Sequence, residues 1–210
     1  MQHSKFLNLS NLIKKTKLGG IEDQYKMVSP ERGAELAKKH LGKTPRKAAV
    51  LALFYPNKEG VTCLALTLRP KYQGTHSAQV SFPGGKHETA DTNLAETALR
   101  ETYEEVGIEK KEIRILREVT NVYIPPSNFM VTPFIGITQN TPIFKHNHEV
   151  EELIEVPLSD LLDDKSIGTK NKKTFYAENV KVPYFLFNNH IVWGATAMII
   201  SEIKELLKRL

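Results

Sequence analysis

Three acidic residues, Glu101, Glu104 and Glu105, fall within one and a half turns of a predicted helix. On a helix Glu101 and Glu105 lie one above the other, at the edge of the apolar stripe, and Glu104 lies about 60° further round. Neither Glu101 nor Glu105 has a basic residue four positions away, so we expect them to attract a cation. Carboxylate oxygens favour a hard divalent ion, Mg²⁺ or Mn²⁺. The alternative is a solvated acidic helix end.

Arg100 stands beside these acids and is expected to pair with Glu96 and Glu104, each four residues away. Two adjacent glycines, Gly84 and Gly85, precede the helix. Adjacent glycines permit unusual dihedral angles and close backbone approach, and their amides are suited to an oxyanion such as a phosphate. The alternative is a plain tight turn.

The elements that position these residues follow from the hydrophobic pattern. A helix is predicted from about Thr92 to Val106, beginning between residues 91 and 93, with Gly107 as a left-handed C-terminal cap. Apolar runs predict a hairpin of strands at 48–55 and 61–68, further strands at 79–82, 113–120, 130–138, 150–156, 173–177 and 180–187, and helices at 157–162 and 195–210. Strands interleaved with helices in this mixed order predict an α/β sandwich.

Residues 1–45 differ in character and read as helical. A short helix is predicted from the pattern at 6–13, with the glycines at 19 and 20 as the stop signal. A second helix is predicted to begin at Ser29 and Pro30 and to run to Gly42. We therefore expect a helical N-terminal extension at 1–45 and a main domain at 46–210.

Composition narrows the class of protein. The 210 residues carry a net charge of +5, and the single cysteine, Cys63, excludes an internal disulfide and fits a reducing compartment. No apolar run approaches the roughly 18 residues of a membrane span, so we expect a soluble cytoplasmic protein without a membrane partner. The lysines are dispersed and lack interleaved aromatics, so no nucleic acid partner is expected. A homodimer is left open.

Residues 100–108 read Arg-Glu-Thr-Tyr-Glu-Glu-Val-Gly-Ile, and this run resembles the second half of the Nudix box. The family pattern places a leading Glu at Thr92 and a leading Gly at Lys86, whereas here Gly85 stands one residue earlier. The linker is thus one residue longer. The resemblance implies a Nudix-type α/β/α sandwich with a mixed sheet, and metal-dependent hydrolysis of a nucleoside diphosphate linked to another group.

The longer linker is similar to that of the coenzyme A pyrophosphatase branch. That branch carries an upstream signature, which Arg69 and the run Phe-Pro-Gly-Gly at 82–85 match, while Gly74 and Ala78 depart from it. Residues 182–197 also resemble its C-terminal end. The resemblance implies a small-molecule substrate, coenzyme A or acyl-coenzyme A, cleaved to 3′,5′-ADP and 4′-phosphopantetheine.

The same resemblance implies roles for individual residues. Glu101 and Glu105 would be catalytic metal ligands, Glu104 a further ligand, and Arg100 would position the glutamates. The general base would be Glu101 or an acid on a later loop, Glu149 or Glu152. The implied substrate-binding residues are Arg69, Lys71, His76, Gln79, Gly84 and Gly85.

Two other functions fit the residues. One keeps the box but changes the substrate to ADP-ribose, a dinucleoside polyphosphate or a nucleoside triphosphate. The other is a catalytically idle binding or regulatory protein with a Nudix fold.

Overall fold

The computed structural model describes residues 1–37, 44–71, 77–174 and 178–210, with the side chains of 34–37 left aside. Within these ranges the helices are α1 (His3–Asn8), α2 (Ser10–Lys15), α3 (Ile21–Tyr25), α4 (Pro30–Ala37), α5 (Leu94–Val106), α6 (Leu158–Leu162) and α7 (Gly194–Lys208). The strands are β1 (Arg46–Pro56), β2 (Thr62–Leu68), β3 (Val80–Ser81), β4 (Gly84–Lys86), β5 (Arg114–Glu118), β6 (Val122–Ile124), β7 (Phe129–Ile137), β8 (Glu152–Pro157), β9 (Ile167–Lys172), β10 (Val180–Phe187) and β11 (His190–Trp193).

The larger sheet is mixed and is centred on β1. In the described part of the chain its order is β3-β2-β1-β7-β5, with β4 added to β1, β6 to β7 and β8 to β2. β1 and β7 are parallel, with 46–54 paired to 129–137, and the other pairs are antiparallel. Because β1 lies in the middle, almost every residue after Ala48 is buried, which accounts for its unbroken apolar run.

The two faces of β1 contact different helices. Leu51, Leu53 and Tyr55 belong to a core that includes Ala98 and Val106 of α5. The alternate residues Ala52 and Phe54 belong to a second core, with α7 and the N-terminal helices. The period-two alternation of a strand thus places one helical layer on each face, and the predicted α/β/α sandwich is confirmed.

The smaller sheet has the order β11-β10-β9. The strand predicted at 173–177 is wrong at its described residues, 173 and 174, because the strand ends at Lys172; residues 175–177 lie outside the described ranges. Strands β4, β6 and β11 were not predicted, since each has only three or four residues and little room for a periodic pattern.

The N-terminal helices share the core of α7. The side chains of Phe6 and Ile13 are fully buried, and Phe6 packs against Phe54 with ring centroids 5.0 Å apart. The predicted helix at 6–13 is split at Leu9, which caps α1 and precedes α2. The predicted end of α4 at Gly42 lies outside the described residues, and the boundary between residues 45 and 46 stays a prediction. None of the described helices is long and apolar enough to cross a bilayer.

Candidate active site

Helix α5 is fixed at both ends by the residues that flank it. The Asn93 side chain accepts a hydrogen bond from the Glu96 amide at 3.0 Å, which makes Asn93 the N-cap among the three predicted starts. Gly107 has a φ of +77° and closes the helix in the left-handed conformation, as predicted. A Cβ on Gly107 would also lie 2.9 Å from the backbone of Lys145, so glycine lets the later loop approach the helix end.

Glu105 projects from α5 onto β4. Its Oε2 accepts a hydrogen bond of 3.0 Å from the Gly84 amide, and its exposed fraction is only 4%. Burial raises the pKa of the Glu105 carboxyl to about 7, against the lowering effect of the Gly84 amide and Arg69. The oxyanion that the Gly84 amide meets is therefore a carboxylate of the chain itself.

Gly84 and Gly85 are required for this contact. Gly84 has a φ of +147°, and a Cβ there would lie 2.4 Å from the Ala49 carbonyl oxygen. A Cβ on Gly85 would lie 2.5 Å from the Glu101 carboxylate. The alternative of a plain tight turn at the glycines is wrong: they form β4, which pairs with β1 and brings the backbone against both glutamates.

Glu101 lies one turn before Glu105. Burial raises its pKa above the ordinary value, and Glu104 and Glu149 add to this, while Arg100 opposes it through an ion pair of 3.1 Å. The expectation that Glu101 has no basic partner is thus wrong, because Arg100 forms an ion pair with this next residue of the helix. Glu104 is half exposed and binds the same Arg100 nitrogen at 3.0 Å.

Arg100 is held by Asp91, which stands one residue before the position, Thr92, at which the family pattern places its leading Glu. Its Nε and Nη2 donate to the two Asp91 oxygens at 2.8 Å and 3.1 Å, and Nη2 also donates to the Lys86 carbonyl at 3.0 Å. The Asp91 carboxylate also accepts from Thr97 and from the Glu88 amide, and these bonds with Arg100 hold its pKa well below the ordinary range.

The predicted pair of Arg100 with Glu96 does not form. Glu96 instead binds Lys110 at 2.8 Å, since the Asp91 clamp turns the Arg100 guanidinium toward β4. The sequence signal that could have identified Asp91 is the longer linker, which displaces the acid from the expected position by one residue.

Of the two proposed base residues, Glu152 is the first residue of β8, whereas Glu149 lies in the preceding loop, which follows β7. The Asn147 amide of this loop donates to the Glu105 carbonyl at 3.1 Å, which holds the loop against the end of α5. Glu149 is half exposed, lies 3.8 Å from Arg69, and acts electrostatically on both Glu101 and Glu105. Glu152 instead faces His190 at 3.3 Å on the smaller sheet. The structure therefore brings Glu149, and not Glu152, to the glutamate pair.

A cleft of about 540 Å³ opens beside these glutamates, between the larger and the smaller sheet. Gly84 and Gly85 form part of its floor. Its cationic lining residues are Arg32, Arg69, Lys86, Lys172 and Lys173, and its aromatic ones include Phe129 and Trp193. In the ranges that the structure describes, no Asp or Glu lines the cleft. The arrangement suits an anionic ligand with apolar parts.

The predicted substrate-binding residues divide into three groups. Arg69, Gln79, Gly84 and Gly85 line the cleft, and the Arg69 amide donates to the Gln79 carbonyl at 3.0 Å. Lys71 is exposed and is not among the described lining residues. His76, like Gly74, lies outside the described residues. The lining residues Lys172 and Trp193 were not predicted as binding residues, because their proximity depends on the register of β9 and β11.

The glutamate pair supplies part of a site for a divalent cation. Over the described ranges, no three His, Cys, Asp or Glu side chains converge closely enough to hold a metal ion. Glu101 and Glu105 nevertheless supply the hard oxygen donors such an ion prefers, and burial without full neutralisation raises both pKa values. The pair fits a divalent cation whose remaining ligands come from water or substrate.

Comparison with known proteins establishes the family. The model of the NUDIX domain matches residues 45–178, more than half of the chain. An uncharacterized Nudix hydrolase, NudL, from Yersinia pestis is 31% identical over 201 residues, covering 94% of this chain and 98% of the relative. The chain belongs to the Nudix family and is a Nudix hydrolase, a class that cleaves pyrophosphate linkages in small molecules and generally uses divalent metal ions.

Solved structures show the same fold at lower identity. RenU, a Nudix hydrolase from M. smegmatis, is 16% identical with a TM-score of 0.53, over 79% of this chain and 88% of RenU. The MutT protein from Methanosarcina mazei is 18% identical with a TM-score of 0.51, over 81% of this chain and 99% of that protein. Likeness at this level of identity concerns the fold alone.

Proposed function

We propose that the protein hydrolyses the diphosphate linkage of coenzyme A or acyl-coenzyme A, releasing 3′,5′-ADP and 4′-phosphopantetheine. The observation that carries the proposal is the cationic cleft, whose floor at Gly84 and Gly85 lies directly against Glu101 and Glu105. A diphosphate on this floor would have the carboxylate pair beneath it and Arg69 beside it. The upstream signature that includes Arg69 and the long linker favour coenzyme A over other nucleotides.

Glu101 and Glu105 would hold the divalent ion, Mg²⁺ or Mn²⁺, with Glu104 near enough to contribute through a rotation away from Arg100. The ion, when bound, would neutralise diphosphate oxygens and lower the pKa of a water molecule. Arg100 is a positioning residue, because Asp91 and the Lys86 carbonyl hold its guanidinium beside Glu101.

Arg69 is suited to bind the diphosphate. Its Nε is buried and, within the described part of the chain, has no hydrogen-bond partner, so a phosphate oxygen would satisfy it. Glu149 is the proposed general base, since it is half exposed beside Arg69 and the glutamate pair. It would accept a proton from the attacking water at a carboxylate oxygen. Glu152 is not favoured for this role because it faces His190.

A substrate panel tests the proposal. The purified protein is incubated with Mg²⁺ or Mn²⁺ and coenzyme A, ADP-ribose, diadenosine tetraphosphate or a nucleoside triphosphate, and the products are separated by chromatography. We expect 3′,5′-ADP and 4′-phosphopantetheine from coenzyme A at the highest kcat/KM. Consumption of another member of the panel with coenzyme A left intact would refute the substrate assignment. No turnover of any member would favour the idle binding protein.

A further inference from the structure

The cleft holds more positive charge than a diphosphate requires. A diphosphate diester carries one negative charge on each phosphorus, which Arg69 and Lys86 already offset, while a divalent ion would be offset by Glu101 and Glu105. The opposite wall adds Lys172 from β9 and Arg32 from α4, at the junction of Trp193 and Gly194. Lys172 lies on the smaller sheet, whereas Gly84 and Gly85 lie on β4 of the larger one, so a second anionic group on the ligand would complement it.

Lys172 is held in place on that wall. Its Nζ lies 4.3 Å from the centroid of the Trp193 ring, a cation–π contact between β9 and β11. Burial and the neighbouring Lys170 both lower the pKa of Lys172, so an anion in the cleft would relieve the cost of keeping it charged. The side chain is thus positioned by an aromatic face in a residue that lines the cleft.

The neighbouring groups extend the same surface. The Arg32 guanidinium lies against Gly194, where a Cβ would be 3.4 Å from its Nη1. Helix α7 begins at this glycine, and its first residues Ala195 and Thr196 also line the cleft. The N-cap residue Trp193 makes no side-chain hydrogen bond to the first turn of α7. The positive end of the helix dipole therefore adds to the positive potential on this side of the cleft.

We propose that Lys172, supported by Trp193 and Arg32, binds a phosphomonoester on the nucleoside part of the substrate, separate from the diphosphate that is cleaved. This proposal rests on the proposed function and specifies it further. A 3′-phosphate, as in coenzyme A, and a 2′-phosphate, as in NADP⁺, share this chemistry. ADP-ribose and diadenosine polyphosphates lack the group and leave the wall unneutralised.

Paired substrates test the subsite. The kcat/KM values of the wild type, Lys172→Gln and Lys172→Arg are measured on coenzyme A against 3′-dephospho-coenzyme A, and on NADP⁺ against NAD⁺. We expect the wild type to prefer the phosphorylated member of one pair by about 10- to 100-fold, the effect of one hydrogen bond to a charged group. Lys172→Gln should collapse that ratio, and Lys172→Arg should restore most of it. The pair that shows the preference identifies the position of the phosphate.

Lys181→Gln is the matched control. Lys181 pairs with Asn171 in the same sheet and is exposed on the face opposite Lys172. The Lys181→Gln substitution therefore removes the same charge from a position outside the cleft. The control should retain the preference. Equal kcat/KM for both members of both pairs in the wild type, or a Lys172→Gln variant that keeps the wild-type ratio, would overturn the subsite while leaving the diphosphate hydrolysis intact.

A binding measurement separates the two proposals if neither pair is hydrolysed, a result that refutes the proposed function itself. Calorimetric titration then compares 3′,5′-ADP and 2′,5′-ADP with 5′-AMP. Tighter binding of one bisphosphate to the wild type, lost in Lys172→Gln and kept in Lys181→Gln, supports the subsite. Equal affinity of all three nucleotides refutes it.

Discussion

Glu105 is buried against β4 with one backbone hydrogen bond and, in the described part of the chain, no ion pair within 4.0 Å. A carboxylate in this setting is costly to keep ionised unless a cation arrives. Glu105→Gln keeps an acceptor for the Gly84 amide but removes the charge. We expect kcat to fall by more than about 100-fold, beyond the loss typical of residues that only support a metal ligand.

The matched control is Glu104→Gln, which removes one charge from the exposed side of the same turn. It should lower kcat less than Glu105→Gln does. Steady-state rates with circular dichroism to confirm folding make the comparison. A Glu105→Gln variant that turns over near the wild-type rate would refute the metal assignment.

The pKa of Glu105 also predicts a pH dependence of stability. The folded state keeps its proton up to about pH 7, whereas the unfolded state releases it near the ordinary value of 4.5. Between these values the folded state binds more protons, so the free energy of unfolding contributed by this group falls as the pH rises. Without metal, the free energy of unfolding of Glu105→Gln should therefore increase relative to that of the wild type as the pH rises across this window, by about 1–3 kcal/mol.

Denaturant unfolding in a chelator, at pH values on both sides of the window, measures the difference. Saturating Mg²⁺ or Mn²⁺ should stabilise the wild type at neutral pH and have little effect on Glu105→Gln. A difference between the two proteins that is the same at all pH values would contradict the proposed titration.

At the level of residues, the sequence identified the carboxylate pair but not its surroundings. The spacing of Glu101 and Glu105 depends only on helical geometry, so it can be predicted from the chain. Asp91 was missed because its contact with Arg100 depends on the path of a loop. The cation–π contact of Lys172 with Trp193 depends on pairing across three strands, which the local sequence does not encode.

At the level of elements, β4 and α5 form one unit around the glycines. Gly85→Ala would place a Cβ 2.5 Å from the Glu101 carboxylate and force that side chain to move. We expect a small loss of stability, about 1–3 kcal/mol, with a much larger loss of kcat. Thermal melting and steady-state kinetics on the same preparation test this, and a variant of unchanged kcat would show that the position of Glu101 is unimportant.

The Asp91 clamp joins the loop before α5 to the helix. Asp91→Asn removes the buried charge that pairs with the partly buried Arg100, so we expect a loss of about 2–4 kcal/mol in the free energy of unfolding. Glu88→Gln, an exposed acid in the same loop, is the control and should change stability by less than about 0.5 kcal/mol. Equal effects of the two substitutions in urea unfolding would refute a positioning role for Asp91.

Elements with a clear apolar pattern were predicted, and β4, β6, β9 and β11 were not. The alternation and length of β1, and the caps of α5 at Asn93 and Gly107, are written in local sequence. β4 consists of two glycines and a lysine, residues with weak strand preference, and it forms because the tertiary contact with Glu105 requires a close backbone. The position of β9 along the chain was predicted too late because its residues are mostly exposed and polar.

At the level of the whole molecule, the N-terminal helices contribute to the core under α7. Phe6 is 1% exposed and contacts Phe54 of β1. Phe6→Ala should lower the free energy of unfolding by about 3–5 kcal/mol. The exposed Leu12 provides a control, since Leu12→Ala should have a minor effect, and similar values for both in denaturant unfolding would contradict the packing described.

The central claim is that the glutamate pair uses a divalent ion to cleave the diphosphate of coenzyme A. The most direct measurement is the release of 3′,5′-ADP from coenzyme A by the wild type and Glu105→Gln during a titration with Mg²⁺ or Mn²⁺. We expect release that rises with the metal concentration in the wild type and is absent from a folded Glu105→Gln variant. Intact coenzyme A at every metal concentration, or equal release by both proteins, would contradict it.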